Sequence, residues 1–204
     1  MNGKPAWLRP HGTPWVRGAA RPIYDNPWIS VTEFAATAPT GHPATYGLVS
    51  YRSVAVAILP LFDDGTTILV GQHRFPAGDY SWEIPEGGAP LDRDPLESAQ
   101  RELAEETGLQ AAEWREILQA QLSNSVSDER AIGYLATGLS VAKGGYHADD
   151  TEDLARVRVP FHEALDAAVA GDLKDVLTVA MLLKAYHMAQ EGHLAPALAR
   201  AILG

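Results

Sequence analysis

Four strand-like runs follow one another before the first strong helical pattern of this chain. They cover residues 28–34, 46–51, 53–59 and 67–73. The third run is short and apolar throughout, which is typical of a buried central strand. A doubly wound parallel sheet alternates strands with helices, so this order argues against that architecture. The pattern instead favours a largely antiparallel or mixed sheet.

The remaining patterns complete an order of β-β-β-β-α-β-β-β-α-α. We predict helices at 95–107, 163–170 and 176–190, strands at 114–121, 131–137 and 155–159, and a loop at 138–152. This order predicts an α+β fold, with a mixed β-sheet core and flanking helices. Residues 1 to about 25 show no periodicity and are interpreted as a loosely ordered arm. We therefore predict an N-terminal arm with strands over residues 1–50, which is a candidate for a dimer contact. Residues 51–204 are predicted to form the main domain.

Composition narrows the function classes. The 204 residues include no cysteine, which excludes disulfides, thiolate metal sites and cysteine nucleophiles. The formal net charge of -10 argues against nonspecific nucleic-acid binding, which needs a basic stripe. No apolar run is long enough for a signal peptide or a membrane span, so we expect no membrane partner and a cytoplasmic location.

The helix predicted at 95–107 has well-specified ends. Asp94 is a good N-cap, Pro95 suits the first helical position, and Glu97 completes a capping box. Gly108 is placed to end the helix in a left-handed conformation. Apolar residues of one face are expected to pack on the sheet: Leu96, Ala99 and Leu103.

Three carboxylates crowd the last two turns of this helix. Glu102, Glu105 and Glu106 have relative positions i, i+3 and i+4, so they repel one another by a few tenths of a kcal/mol per pair. The negative end of the helix dipole costs about another 0.3–1 kcal/mol each. A hard divalent cation resolves the conflict. The alternative is a solvated acidic helix end, with Arg101 and salt reducing the repulsion.

The segment 87–109 resembles the Nudix box. The matching residues are Gly87, Arg101-Glu102-Leu103, Glu105-Glu106, Gly108 and Leu109. The spacing is that of the box throughout, and one fixed position departs: Arg93 stands where the pattern has its first glutamate. We expect Arg93 to face solvent or to meet substrate phosphates. The departure bears on the number of metal ions and on rate more than on fold.

The resemblance implies a Nudix-type α/β/α sandwich over residues 51–204 and a cation site. It carries the role of metal ligand onto Glu102, Glu105 and Glu106, with Glu86 adding its backbone carbonyl. The implied cofactor is Mg²⁺, with Mn²⁺ as an alternative. Arg101 is expected to orient a glutamate rather than touch substrate.

The run at 72–87 resembles the ADP-ribose pyrophosphatase branch of the Nudix hydrolases. Arg74 is then a candidate for binding the diphosphate, because a guanidinium fork suits phosphate oxygens; the alternative is an edge-strand arginine in solvent. Trp82 is a candidate for stacking on a base, and the alternative is a core or dimer contact. Trp28 lies either near the base or in a homodimer interface, because this branch often exchanges N-terminal strands.

The same resemblance places the general base in the acidic loop that follows residue 138. Glu152 aligns best, and its rivals are Asp149, Asp150 and Asp153. Glu129 ends a polar turn and is a candidate for supporting a metal or the ribose, although a turn that merely caps a strand is the simpler interpretation.

These residues predict metal-dependent hydrolysis of a small nucleotide-diphosphate substrate. Nucleotide sugars are favoured, ADP-ribose first, with AMP and ribose 5-phosphate as its products. Within the enzyme class, other diphosphates remain alternatives. In a different class, the Arg93 departure is compatible with a nucleotide sensor that binds without cutting. A structural acidic protein with an accidental match is the third alternative.

Overall fold

The structure is a computed structural model that describes residues 5–143 and 153–204. The chain divides into two compact units. The first comprises Met1–Arg52 and Ser123–Asp128, and the second comprises Ser53–Leu122 and Glu129–Gly204. The short segment in the first unit comes from the connection between two strands of the second unit.

The first unit is built on a three-stranded antiparallel sheet. After a short 3-10 turn at Ala6–Leu8, its strands are β1 (Val16–Asp25), β2 (Ile29–Thr37) and β3 (Pro43–Tyr51), in the order β1-β2-β3. Every residue of β1 is exposed. This explains why the sequence of β1 shows no alternation, since neither face of the strand is buried. The expectation of a loosely ordered arm up to residue 25 is therefore wrong for this segment.

The described residues of the second unit form two sheets. Its strands are β4 (Ser53–Pro60), β5 (Thr66–Arg74), β6 (Asp79–Glu83), β7 (Glu86–Pro90), β8 (Leu109–Gln121), β9 (Arg130–Val141) and β10 (Ala155–Pro160). One sheet has the order β10-β5-β6 and the other has the order β7-β4-β9-β8. The β4–β9 pair is parallel and the remaining pairs are antiparallel, so the second sheet is mixed.

Within the part of the second unit that the structure describes, the helices are α1 (Pro95–Thr107), α2 (Phe161–Ala170), α3 (Val176–Gln190) and α4 (Pro196–Leu203). The strand β4 shows how they are arranged, because its side chains alternate between two cores. Val56 and Ile58 pack with Leu103 of α1, whereas Ala57 and Leu59 pack with the layer that contains Met181 of α3. Helices thus cover both faces of the four-stranded sheet.

This arrangement confirms the predicted α+β class with a mixed sheet and flanking helices. The bounds of α1 and α3 are those predicted. The strands β6 and β7 were not predicted, and neither was α4. No helix among residues 5–143 and 153–204 combines the length and apolarity that a membrane span requires.

Candidate active site

The ends of α1 are fixed by its own sequence. The Asp94 carboxylate accepts a hydrogen bond from the Leu96 N–H at 2.9 Å, and Pro95 begins the helix. Gly108 ends it with a φ of 72°. Ala99 and Leu103 are fully buried against the four-stranded sheet. The caps and the apolar face together fix which way the acidic face points.

Two of the three box glutamates of α1 are buried beside β7. Glu102 is 9% exposed and Glu106 is 4% exposed. A Cβ atom on Gly87 of β7 would overlap the Glu102 carboxylate, so any other residue at this position would displace that side chain. Glu106 accepts a hydrogen bond from the Glu86 N–H at 3.1 Å. The start of β7 and the end of α1 therefore form a cradle for carboxylate oxygens.

Glu105 lies apart from this cradle and is linked to it through Arg101. The Arg101 guanidinium pairs with Glu102 on one side and with Glu105 on the other. Arg101 thus pairs with two of the box glutamates, and its role in orienting them stays a prediction. In this arrangement no three Asp, Glu or His side chains of the described chain form a group that could hold a metal ion. The convergence of all three glutamates is therefore not seen here, because the guanidinium stands between two of them.

The chemistry of the cradle nevertheless fits a hard divalent cation. Burial, the neighbouring Asp175 and the charge of Glu83 raise the pKa of Glu86 well above its ordinary value. Within the described chain, the Glu86 Oε1 atom is buried without a hydrogen-bond partner. The atoms of the cradle that could bind a metal ion are carboxylate and carbonyl oxygens, which Mg²⁺ and Mn²⁺ prefer as ligands.

Arg74 reaches this region from the end of β5. Its guanidinium is paired with the buried Glu83 carboxylate, and Nε lies 3.1 and 3.0 Å from the two carboxylate oxygens. The Glu83 hydrogen bond and the charges of Glu86 and Glu106 raise the pKa of Arg74 despite its partial burial. The side chain remains 40% exposed, so part of the fork faces solvent.

The other predicted site residues are dispersed. Trp82 is half-buried, packs against the core of the second unit and meets the Tyr80 ring edge-on at 5.8 Å. Trp28 belongs to the first unit and is 73% exposed. The Glu129 carbonyl accepts the Leu122 N–H at 3.0 Å, which closes the turn before β9. Glu152, with Asp149 and Asp150, lies outside the described residues. Arg93 is exposed, as expected.

Sequence reasoning missed three residues that the fold brings to this region. Glu83 is the partner of Arg74, and its place in the Trp-Glu-Ile-Pro run was the available signal. Asp175 is the N-cap of α3 and lies beside Glu86. Thr178 is fully buried and accepts the Ile84 N–H at 3.0 Å. Neither Asp175 nor Thr178 could be found from local pattern, because their contacts are distant in sequence.

Comparisons with known proteins agree with this geometry. The family profile described as "NUDIX domain" matches residues 51–178. The chain is 33% identical over 144 residues to an ADP-ribose pyrophosphatase of Mycobacterium tuberculosis, covering 70% of this chain and 69% of that protein. It is 31% identical over 140 residues to an ADP-ribose pyrophosphatase of Bacillus subtilis, covering 69% and 75%.

A solved structure shares the fold. The crystal structure of an ADP compounds hydrolase superposes with a TM-score of 0.78, covering 91% of this chain and all of that one, at 19% sequence identity. At this identity the likeness concerns the fold alone. The sandwich predicted from the sequence is thereby confirmed.

Proposed function

This chain belongs to the Nudix family, and from that premise we propose that it hydrolyses the diphosphate linkage of ADP-ribose or a related nucleotide sugar. The products from ADP-ribose would be AMP and ribose 5-phosphate. The observation that carries the proposal is the carboxylate cradle, in which Glu102 and Glu106 are buried against the start of β7. Two curated relatives of this chain are ADP-ribose pyrophosphatases.

The cradle residues would hold the cation that the reaction requires. Nudix hydrolases generally use divalent metal ions, and we propose Mg²⁺, with Mn²⁺ as a substitute. The ligands would be the carboxylates of Glu102, Glu105 and Glu106 and the Glu86 carbonyl. When bound, the cation neutralises phosphate charge and lowers the pKa of a water molecule. Arg101 would keep Glu102 and Glu105 in place until the cation binds.

Arg74 would position the substrate diphosphate. Its Nε and one terminal nitrogen are engaged by Glu83, which leaves the second terminal nitrogen for a phosphate oxygen. The ion pair with Glu83 fixes the plane of the guanidinium, so less side-chain entropy is lost when substrate binds. Trp82, Trp28 and Glu129 remain candidates for the base and the ribose.

Glu152 would act as the general base. A carboxylate that accepts the proton of the attacking water as it approaches phosphorus matches the chemistry of this step. Asp149, Asp150 and Asp153 are its rivals.

The first unit would mediate a homodimer. This unit exposes large apolar side chains, among them Ile23 and Tyr24 of β1 and, next to the strands, Trp15 and Trp28. Exposed apolar patches of this kind mark interaction surfaces. Sedimentation equilibrium would return twice the chain mass if the proposal holds and the chain mass if it fails. A cytoplasmic location is proposed as well, and cell fractionation tests it.

The activity itself is tested with purified protein and ADP-ribose. Chromatographic separation should show AMP and ribose 5-phosphate in equal amounts in the presence of Mg²⁺ or Mn²⁺, and none after addition of EDTA. The substrates are ranked with a panel of other diphosphates, which includes dinucleotides and nucleoside triphosphates. The assay measures phosphate release after phosphatase coupling. Tight binding of ADP-ribose with no metal-dependent products would instead identify a nucleotide sensor.

A further inference from the structure

The segment from Glu83 to Glu86, which joins β6 to β7, is held by three different elements. The Ile84 N–H donates to the Thr178 hydroxyl of α3 at 3.0 Å. The Pro85 carbonyl accepts the Ile58 N–H of β4 at 2.8 Å. The Glu86 N–H donates to Glu106 of α1. Consecutive main-chain groups are thus tied to a helix on each face of the sheet and to the strand between them.

The register of β7 determines where the Glu86 carbonyl points. Glu86 lies opposite Ala57 in the antiparallel β4–β7 pair, and the adjacent hydrogen bond runs from the Ile58 N–H to the Pro85 carbonyl. The Ala57–Glu86 position is therefore a non-hydrogen-bonded pair. The N–H and C=O of Glu86 both turn away from β4, on the side where the N–H meets Glu106. Any shift of the segment moves this carbonyl relative to the cradle.

Thr178 is the tether of this segment on the α3 side. It is fully buried in the first turn of α3, and its own N–H donates to the Asp175 cap at 2.7 Å. The hydroxyl is therefore held rigidly by the helix terminus. Its acceptor role toward Ile84 cannot be taken by water, because Ile84 is also fully buried.

We propose that Thr178 is a positioning residue of the cation site, which fixes the Glu86 carbonyl through the Ile84 N–H. This inference rests on the proposed function, because it assigns a ligand role to that carbonyl. Outer residues that orient metal ligands typically change metal affinity by about 10–100-fold when they are removed. A residue with a merely structural role would lower stability and leave metal affinity unchanged.

The chain offers a matched control in Thr67. This residue of β5 is also fully buried, and its hydroxyl has no hydrogen-bond partner in the described part of the chain. Replacement by valine keeps the shape of either side chain. Thr67→Val loses no hydrogen bond, whereas Thr178→Val leaves the Ile84 N–H without its acceptor.

The experiment measures Mn²⁺ binding to the full chain without substrate, by titration calorimetry and by the electron paramagnetic resonance signal of free Mn²⁺. Thr178→Val should weaken binding about tenfold or more. Thr178→Ser, which keeps the hydroxyl, and Thr67→Val should both bind like the unmodified chain. Circular dichroism verifies that each variant is folded at the temperature used.

Thr178→Cys covers the case in which the valine variant does not fold. A thiol is a weak acceptor of similar size, so this variant should show an intermediate Mn²⁺ affinity. The inference is overturned if folded Thr178→Val binds Mn²⁺ with unchanged affinity. If the valine variant is unfolded, unchanged Mn²⁺ affinity in Thr178→Cys overturns it. An absence of Mn²⁺ binding by the unmodified chain overturns it as well. Because no substrate is present, failure of the ADP-ribose assay leaves this result standing, and the two failures are distinguishable.

Discussion

The Glu102 carboxylate fills the space that a side chain at Gly87 would occupy. Gly87→Ala should therefore push Glu102 out of the cradle. Misplacement of a site group by about 1 Å costs on the order of 10²-fold in rate, and a loss of this size in kcat/KM for ADP-ribose is expected. Steady-state kinetics at saturating Mg²⁺ provides the measurement.

Gly88→Ala is the control for this substitution. A Cβ atom at Gly88 would meet the Ser53 hydroxyl at 3.4 Å, which is an ordinary contact. Its kcat/KM should stay within about threefold of the unmodified value, since the site is undisturbed. Equal losses in both variants would show that strand β7, rather than Glu102, is what the substitutions disturb.

Glu105→Gln should remove turnover, by at least about 10²-fold, without loss of stability. The residue is half-exposed near the negative end of α1, so neutralising it relieves unfavourable charge while sacrificing only a surface ion pair. Calorimetry should show an unfolding temperature that is unchanged or slightly raised. Glu97→Gln, an exposed site in the first turn of the same helix, should keep full activity. Intact turnover in Glu105→Gln would remove this residue from the metal ligands.

Glu83→Gln should weaken substrate binding and destabilise the second unit. Arg74 then loses a charged partner in a half-buried position, at a cost of about 1–3 kcal/mol in the free energy of unfolding. The guanidinium is no longer held in its plane, so KM should rise more than kcat falls. Urea unfolding and initial-rate kinetics measure the two effects. Asp64→Asn, which breaks the exposed pair with Arg158, serves as control and should leave KM unchanged.

Glu86→Gln should stabilise the protein in a pH-dependent manner. Burial raises the pKa of Glu86 well above its ordinary value of 4.5. Near neutral pH the unfolded chain ionises this group freely, whereas the folded chain resists ionisation, so the charge opposes folding. Below the unfolded pKa both states keep the proton and the penalty vanishes. The gain in unfolding temperature should therefore shrink as pH falls toward 4.5.

The same variant separates the role of the Glu86 side chain from that of its backbone carbonyl. The substitution alters the side chain and retains the backbone carbonyl proposed as ligand, so metal-dependent turnover should persist. A gain in unfolding temperature that is the same at every pH would show that the ionisation of Glu86 is not its cause.

Glu152→Gln should lower kcat by about 10²–10⁴ without changing Mn²⁺ affinity, as expected for a general base that holds no metal. Parallel Asp149→Asn, Asp150→Asn and Asp153→Asn variants identify the base if it is one of the rivals. The pH–rate profile adds a second readout, because loss of the base should remove the acidic limb. An unaltered profile in Glu152→Gln would assign the role elsewhere.

The helix α1 was predictable because its signals are local. In α1 the cap, the proline and the terminal glycine specify both ends within the helix itself, and its bounds came out as predicted. The strand β7 shows the opposite case. Its sequence, Glu86-Gly-Gly-Ala-Pro90, has little intrinsic preference for a strand, and it is one only because β4 pairs with it.

The sequence indicated which residue types belong to the candidate site, but not the contacts that the fold makes between them. The box spacing marked three of the four glutamates of α1 as candidate metal ligands, and in the structure Arg101 pairs with two of them. The pairing of Arg74 with Glu83 depends on the β5–β6 register, which no local pattern specifies. Thr178 reaches Ile84 across 94 residues of chain, and such contacts have no signature in a single sequence.

The long-range hydrogen bond between Ile84 and Thr178 has a consequence for the folding of the chain during its synthesis. Ribosomes release a chain from its N-terminus, so the whole Nudix box emerges well before Thr178, which lies 94 residues beyond the group it holds. The tether on Ile84 cannot form until α3 has been made. A nascent chain would thus carry every box carboxylate before the main chain beside Glu86 is held in place, and co-translational folding of this segment has to wait for α3.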